Sequence, residues 1–256
     1  MSIVETRASR RSAAKRTPRV SVIGVLGELF ITAGVIVLLF LGWQLWLDNL
    51  IVGNEQNAEA QEQSIEWNRG ESTAPAAAER PDPGEPVVAT APGNAERFAV
   101  LIIPRLGADW AKPVREGVGT KDVLNLGIGH YPGTAMPGQV GNAAFAGHRT
   151  GYGSPLFDIV NLQVGDNMYL ETEAGWYQYV YRSMEYVLPD GVGVLDPVPQ
   201  FAGASPTDRI LTVTSCNPAY SADERVIAYA VYETWYPRAG GPPPEIAGLV
   251  SASAAG

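Results

Sequence analysis

Residues 209–237 read RILTVTSCNPAYSADERVIAYAVYETWYP, two runs rich in β-branched and aromatic residues on either side of a polar loop. Runs of this kind are typical of β-strands. Four more of them occur upstream: RFAVLIIP (97–104), NAAFAGH (142–148), NMYLET (167–172) and WYQYVYRSMEYVL (176–188). Gly- and Pro-rich turns separate these runs and leave room only for short helices. We therefore expect an all-β barrel or sandwich over residues 95–238, and not a parallel sheet with alternating helices.

The composition of the 256-residue chain excludes several classes of protein. With 46% hydrophobic and 18% charged residues, it is neither fibrous nor wholly disordered. The single cysteine, Cys216, excludes an intramolecular disulfide, and together with only two histidines it makes a structural zinc site improbable. The net charge of −9 argues against a nucleic-acid partner, because such proteins carry an excess of basic residues.

An apolar segment at residues 20–47 predicts a transmembrane anchor. Its only formal charge is Glu28, and a span of roughly 20 apolar residues is enough to cross a bilayer. Residues 1–19 carry six basic residues and one acidic residue, a net charge of +5 that leaves −14 for the rest of the chain. The positive-inside rule then places the N-terminus in the cytoplasm and the remaining chain outside. A cleaved signal peptide is the alternative, but its apolar region usually has about 7–15 residues.

Two segments without apolar periodicity flank the predicted β domain. Residues 48–94 are interpreted as a stalk, whose first part could continue as a helix and whose Ala- and Pro-rich second part should be disordered or extended. Residues 239–256 are of low complexity and are expected to be disordered. The predicted organisation is a basic cytoplasmic segment, an anchor, a stalk, a catalytic domain and a tail, at residues 1–19, 20–47, 48–94, 95–238 and 239–256.

Cys216 is the first candidate for chemistry. It ends a strand-like run just before Asn217-Pro218, and a proline stops a regular strand from continuing. Reactive groups are often held at such transitions between a strand and a loop. The alternative is an inert buried cysteine, which is a common fate of free thiols.

A thiol nucleophile needs a neighbouring base or cation. His148 ends a strand-like run, His130 lies in a loop, and Arg225 begins the run after the cysteine loop. The Arg225 guanidinium could stabilise an oxyanion, or it could pair with the adjacent Asp223 or Glu224. His148 and Arg225 lie 68 and 9 residues from Cys216, so only the fold can bring the three together.

Three of these features together resemble a known family. The segments AGHR (146–149) and LTVTSC (211–216), followed by Arg225, are similar to the sortases, the cysteine transpeptidases of Gram-positive cell envelopes. The block NLGIGHYPGTAMPGQVGNAAFAGHR (125–149) and the CNP that begins at Cys216 resemble the class E sortases of actinobacteria. The resemblance covers residues 98–237 and the N-terminal anchor, and it implies an eight-stranded sortase β-barrel.

The resemblance also implies a reaction. Cys216 would attack the Thr–Gly bond of a C-terminal sorting signal, and an amine on a peptidoglycan precursor of the lipid II type would resolve the thioacyl-enzyme. His148 would act as general acid and then as base, and Arg225 would stabilise the oxyanion. No metal or organic cofactor is expected, because the thioester itself keeps the acyl group activated.

Four residues are expected to contact the sorting signal or to shape its site: Tyr131, His130, Thr214 and Ser215. Class E members resemble this chain in carrying a tyrosine at the position of Tyr131, which implies a preference for LAXTG over LPXTG signals. The family often has Thr-Thr-Cys where this chain has Thr214-Ser215-Cys216.

Two other functions stay open at this point. A sortase that polymerises pilins would use a lysine as its nucleophile, but no lid segment is evident in the sequence. A catalytically silent, membrane-anchored domain could use the same cleft only to bind peptides. An L,D-transpeptidase is disfavoured because it would have a Ser-His-Gly-Cys-like segment, which TSCNP does not match.

Overall fold

A computed structural model describes residues 21–43, 47–69 and 83–254, which fall into two compact units that divide after Trp43. The first unit contains helix α1 (Val22–Gly42), which is long and apolar enough to cross a membrane and has no buried side chain. It coincides with the predicted anchor. The predicted basic segment, residues 1–19, lies outside the described residues.

The second unit is a β-barrel with two peripheral helices. Its helices are α2 (Asp48–Asn68) and α3 (Ala247–Ala254). Its strands are β1 (Arg97–Ile102), β2 (Ala111–Glu116), β3 (Ile128–His130), β4 (Gly141–Gly147), β5 (Asn167–Thr172), β6 (Gly175–Val187), β7 (Arg209–Asn217) and β8 (Glu224–Pro237).

The eight strands close into one barrel in the order β1-β2-β3-β4-β7-β8-β6-β5, with β5 paired back to β1. The β2–β3 and β4–β7 pairs are parallel, and the other six pairs are antiparallel. The prediction of an all-β, eight-stranded barrel with short helices is therefore confirmed. Closure of the barrel gives each of the eight strands a paired neighbour on both sides over part of its length.

The barrel has two separate apolar clusters because β1 is buried on both faces. Successive side chains of a strand point to opposite faces. On β1, Leu101 points into the barrel core, whereas Val100 and Ile102 point outward into a second cluster with Tyr169 and Trp176. The continuous apolar run at the start of the domain is typical of a strand that is buried on both faces.

Helices α2 and α3 cover the outer cluster. The face of α2 that meets the barrel carries Gly53, Gln56, Ala60, Ser64 and Trp67, at a spacing of three or four residues. Small and polar side chains dominate this face, so it shows no apolar periodicity.

The structure differs from the expected stalk and tail. Helix α2 packs on the barrel, residues 83–94 lie against it through hydrogen bonds such as Trp235 Nε1 to Gly84 O (3.1 Å), and α3 forms inside the segment expected to be disordered. Apolar side chains of the tail, Ile246 and Val250, enter the outer cluster. Residues 70–82, also expected to be disordered or extended, lie outside the described residues.

Arg238, at the predicted domain boundary, ties these segments together. Its guanidinium pairs with the fully buried Glu171 (3.1 Å), donates to Asn68 Oδ1 on α2 (2.8 Å) and lies 4.3 Å from the ring centroid of Trp176. Ser64 of α2 donates a second hydrogen bond to Glu171 (2.9 Å). Burial raises the pKa of Glu171, and Arg238 and Ser64 oppose that rise by stabilising the carboxylate. The network joins α2, the barrel and the segment that leads to α3.

We expect Arg238→Met to lower the free energy of unfolding by about 3–5 kcal/mol, because it leaves the Glu171 carboxylate buried without its partner. Arg105→Met is the matched control, since Arg105 pairs with Asp166 on the surface, where solvent screens the pair and its loss should change stability much less. Chemical denaturation of the full chain in detergent micelles measures both. Equal losses in the two variants would show that the Arg238 network does not hold the unit together.

Candidate active site

The candidate site lies where β4 and β7 end. These strands run parallel, and their last paired residues are Ala146 and Thr214. His148 and Cys216 each follow two residues later, so they emerge at the same edge of neighbouring strands. On the other side of β7, Arg225 of β8 is paired directly with Cys216. The fold thus brings together three residues that are distant in sequence.

Cys216 is half-buried, with a free thiol. On β7, Leu211 and Val213 point into the barrel core, so alternation places Thr212, Thr214 and Cys216 on the opposite face. The cysteine is therefore held by a regular strand and is not part of the core. This placement argues against the alternative of an inert, fully buried thiol.

The imidazole of His148 is oriented by two neighbours. Its Nε2 lies 3.1 Å from Asn125 Oδ1, and its ring stacks on Tyr152 with 5.1 Å between the centroids. An amide oxygen only accepts hydrogen bonds, so this contact places a proton on Nε2 and leaves Nδ1 as the lone-pair atom of the neutral ring. Burial lowers the pKa of His148, which favours the neutral form at neutral pH. In that state the ring can accept a proton.

Arg225 is half-buried at the start of β8. Its Nη1 donates to the backbone oxygens of Ala222 (3.0 Å) and Glu224 (2.9 Å). These contacts fix the side chain beside the β7–β8 loop and differ from the alternative of an ion pair with a neighbouring carboxylate. Glu224 instead accepts a hydrogen bond from Asn217 (2.9 Å).

Arg149, a residue to which we assigned no role from the sequence, supports the strand that carries Cys216. It is buried, and its Nε donates to Phe157 O (2.7 Å). Its Nη1 donates to Cys216 O (3.3 Å) and to Asn217 Oδ1 (3.2 Å). The AGHR motif contains Arg149, but a motif alone does not show that its side chain crosses to the next strand. Asn125 and Tyr152 were missed for the same reason.

Tyr131 contacts the strand that carries the cysteine. Its hydroxyl lies 3.1 Å from Thr214 Oγ1. Thr214 is two residues before Cys216 and on the same face of β7. Thr214 itself is only 4% exposed. The expectation that Thr214 contacts the signal stays a prediction.

His130 and Ser215 are both buried. His130 is fully buried; its Nδ1 lies 2.7 Å from Glu116 Oε2, and its Nε2 lies 3.0 Å from both Ala135 O and Thr134 Oγ1. It shapes the loop that carries Tyr131 from inside. Ser215 is also buried, and its hydroxyl donates to Gly147 O on β4 (2.8 Å). The burial of His130 fits its expected role in shaping this loop, and contact of either residue with the signal stays a prediction.

A family model described as a sortase domain matches residues 101–233, about half of the chain. The chain belongs to the sortase family. Sortase SrtE1 from Streptomyces coelicolor is 35% identical over 244 residues, which cover 92% of this chain and 64% of that protein, so the chain spans less than two thirds of this relative.

Solved sortase E structures are similar as well. That of sortase E from Streptomyces avermitilis is 41% identical, with a TM-score of 0.55 over 60% of this chain and 99% of the other. That of sortase E1 from S. coelicolor with a tripeptide in its active site is 36% identical, with a TM-score of 0.55 over 62% and 99% of the two chains. These similarities support the assignment of this sortase to class E.

Proposed function

We propose that this sortase is a membrane-anchored cysteine transpeptidase that cleaves a C-terminal LAXTG- or LPXTG-type signal between Thr and Gly and transfers the protein to an amine of a cell-wall precursor. The observation that carries the proposal is the convergence of Cys216, His148 and Arg225 at one edge of the barrel. The tripeptide in the active site of S. coelicolor sortase E1 supports a peptide substrate for the same cleft.

In the first half of the proposed reaction, neutral His148 takes the proton of the Cys216 thiol, and the resulting thiolate attacks the carbonyl carbon of the signal's Thr. The carbonyl electrons move to oxygen, and the Arg225 guanidinium stabilises this oxyanion. Collapse of the intermediate breaks the C–N bond to Gly, and protonated His148 gives its proton to the leaving amine. A thioester on Cys216 and a neutral histidine result.

In the second half, an amine attacks the thioester carbonyl. Neutral His148 accepts a proton from this amine, and the lowered pKa of His148 is compatible with that step. The C–S bond breaks, and the Cys216 thiolate is regenerated as the amide forms. Proton and charge balance over the two halves without a further co-reactant.

The proposed location follows from α1 and the charge asymmetry. Helix α1 would anchor the protein, and the basic residues before it favour a cytoplasmic N-terminus. The barrel would then face the cell wall, where secreted proteins with sorting signals and precursor amines are available.

The test is cleavage of a quenched LAXTG peptide by the full chain in detergent micelles, with and without an added amine. Cys216→Ala should abolish cleavage. His148→Ala should lower kcat/KM by about 10²–10⁴-fold through loss of acid–base catalysis. Arg225→Ala should lower it by about 10²–10³-fold through loss of oxyanion stabilisation.

Arg182→Ala is the control, because it removes an exposed arginine from β6 without touching the site. Its activity should match that of the unmodified protein. Peptide binding without turnover by the unmodified chain would contradict the proposal and favour a silent binding domain. If the cleaved protein is transferred only to a lysine side chain of a pilin, that lysine replaces the cell-wall precursor as the proposed acceptor.

Tyr131 generates a second prediction, about signal preference. Its hydroxyl can accept a hydrogen bond from the backbone N–H that Ala has and Pro lacks. Tyr131→Phe keeps the ring, so we expect the ratio of kcat/KM for LAXTG over LPXTG to fall about fivefold, the equivalent of one net hydrogen bond of about 1 kcal/mol.

Tyr220→Phe is the matched control, because Tyr220 is 73% exposed in the loop after Cys216. The control should keep the original ratio of the two kcat/KM values. A ratio that stays constant in Tyr131→Phe would rule out the hydroxyl as the source of the preference.

A further inference from the structure

Helix α2 contacts the loop that follows His148, although the helix lies outside the barrel. Gln56 on α2 is 3% exposed, and its Nε2 donates to the backbone oxygen of Tyr152 (3.0 Å). This hydrogen bond joins residues that are 96 positions apart in sequence. It is a specific contact between α2 and the backbone of the catalytic loop.

Two glycines allow α2 and the loop to approach this closely. A Cβ atom on Gly153 would lie 2.9 Å from Gly53 N and 3.0 Å from Gln56 Oε1. A Cβ atom on Gly53 would lie 3.3 Å from Gly153 O. The buried Lys112 of β2 holds this part of α2 in place, since its Nζ donates to Gly53 O (2.9 Å). Backbone therefore packs on backbone at this point.

The loop that α2 contacts is strained. Gly151, Tyr152, Gly153 and Ser154 have φ values of +74°, +49°, +78° and +45°. Two of these residues carry a Cβ atom, which the left-handed conformation brings too close to the following carbonyl oxygen. Strained conformations persist only where the surrounding structure holds them. The Gln56 hydrogen bond is one of the contacts that can do so.

Tyr152 transmits this placement to His148. Its ring stacks on the imidazole at 5.1 Å and 29°, yet 49% of the residue is exposed. Because packing encloses only part of the ring, the position of the Tyr152 backbone decides where the ring lies.

We propose that α2 is a positioning element for the catalytic histidine: Gln56 holds the strained loop, and the loop sets Tyr152 against the His148 ring. Gln56 and Tyr152 are thus positioning residues for the reaction, and not catalytic residues. The importance of this arrangement for activity rests on the function proposed above, whereas the arrangement itself can be measured without any substrate.

The test uses NMR of the full chain in micelles with ¹³Cε1-labelled histidine. The chain has two histidines, and the spectrum of His148→Asn assigns the two Cε1–H signals. Gln56→Ala should move the His148 signal in the same direction as Tyr152→Leu does, because the ring-current shift from the tyrosine is lost. The signal of the buried His130 should stay in place in both variants.

Gln63→Ala is the matched control, because Gln63 is another buried glutamine of α2 and lies two turns farther along the helix. It should leave both signals unmoved. With the LAXTG peptide, Gln56→Ala should lower kcat about tenfold and change KM less than twofold, because the histidine is misoriented while the signal still binds. Gln56→Ala combined with Tyr152→Leu should lower kcat no further than Tyr152→Leu alone, since both act through one path.

A His148 signal in Gln56→Ala that matches that of Gln63→Ala would overturn the proposal. Additive losses of kcat in the double variant would also overturn it, because they would show that Gln56 acts by another route. If the His148 signal shifts as expected but the unmodified protein cleaves no peptide, the positioning role stands and the proposed function fails.

Discussion

The parallel pairing of β4 with β7 is the constraint on which the site depends. Two parallel strands end at the same edge of a sheet, so His148 and Cys216 emerge side by side. The antiparallel return of β8 then places Arg225 opposite the cysteine. Side chains reinforce the β4–β7 register: Thr212 donates to Asn142 Oδ1 (2.6 Å). A slip of one residue would turn Cys216 to the other face of the strand.

The folded unit that carries the candidate site includes more than the barrel. Side chains such as Val100 and Trp176 point outward into a second core, which would be open to water without α2 and α3. The buried Arg238–Glu171 pair joins these helices to the barrel, and the Gln56–Tyr152 hydrogen bond joins α2 to the active-site loop. Helix α2 is therefore part of the folded unit and not only a spacer.

The sequence predicted the strands well because their β-branched and aromatic runs are long and clearly bounded by turns. It also singled out Cys216, His148 and Arg225 by residue type and by their places at the ends of runs. Their convergence could not be derived from spacing, since it depends on which strands are neighbours. The resemblance to sortases supplied that information, together with the expected roles.

The packing of α2 and of the tail could not be predicted for a physical reason. Helix α2 meets the barrel through residues such as Gly53, Gln56 and Ser64, so no apolar stripe marks the buried face. Just before the tail, the charged residue Arg238 makes contacts with partners far away in sequence. From the sequence, His130 is expected in a loop, but it ends β3 and is fully buried beside the carboxylate of Glu116.

The most direct test of the central claim is to trap the acyl-enzyme. The full chain is mixed briefly with a LAXTG peptide in the absence of an amine, quenched in acid, digested and examined by mass spectrometry. The account predicts an adduct on the Cys216 peptide with the mass of the substrate up to and including its Thr, and no adduct in Cys216→Ala. An acyl group on another residue, or cleavage that continues in Cys216→Ala, would contradict it.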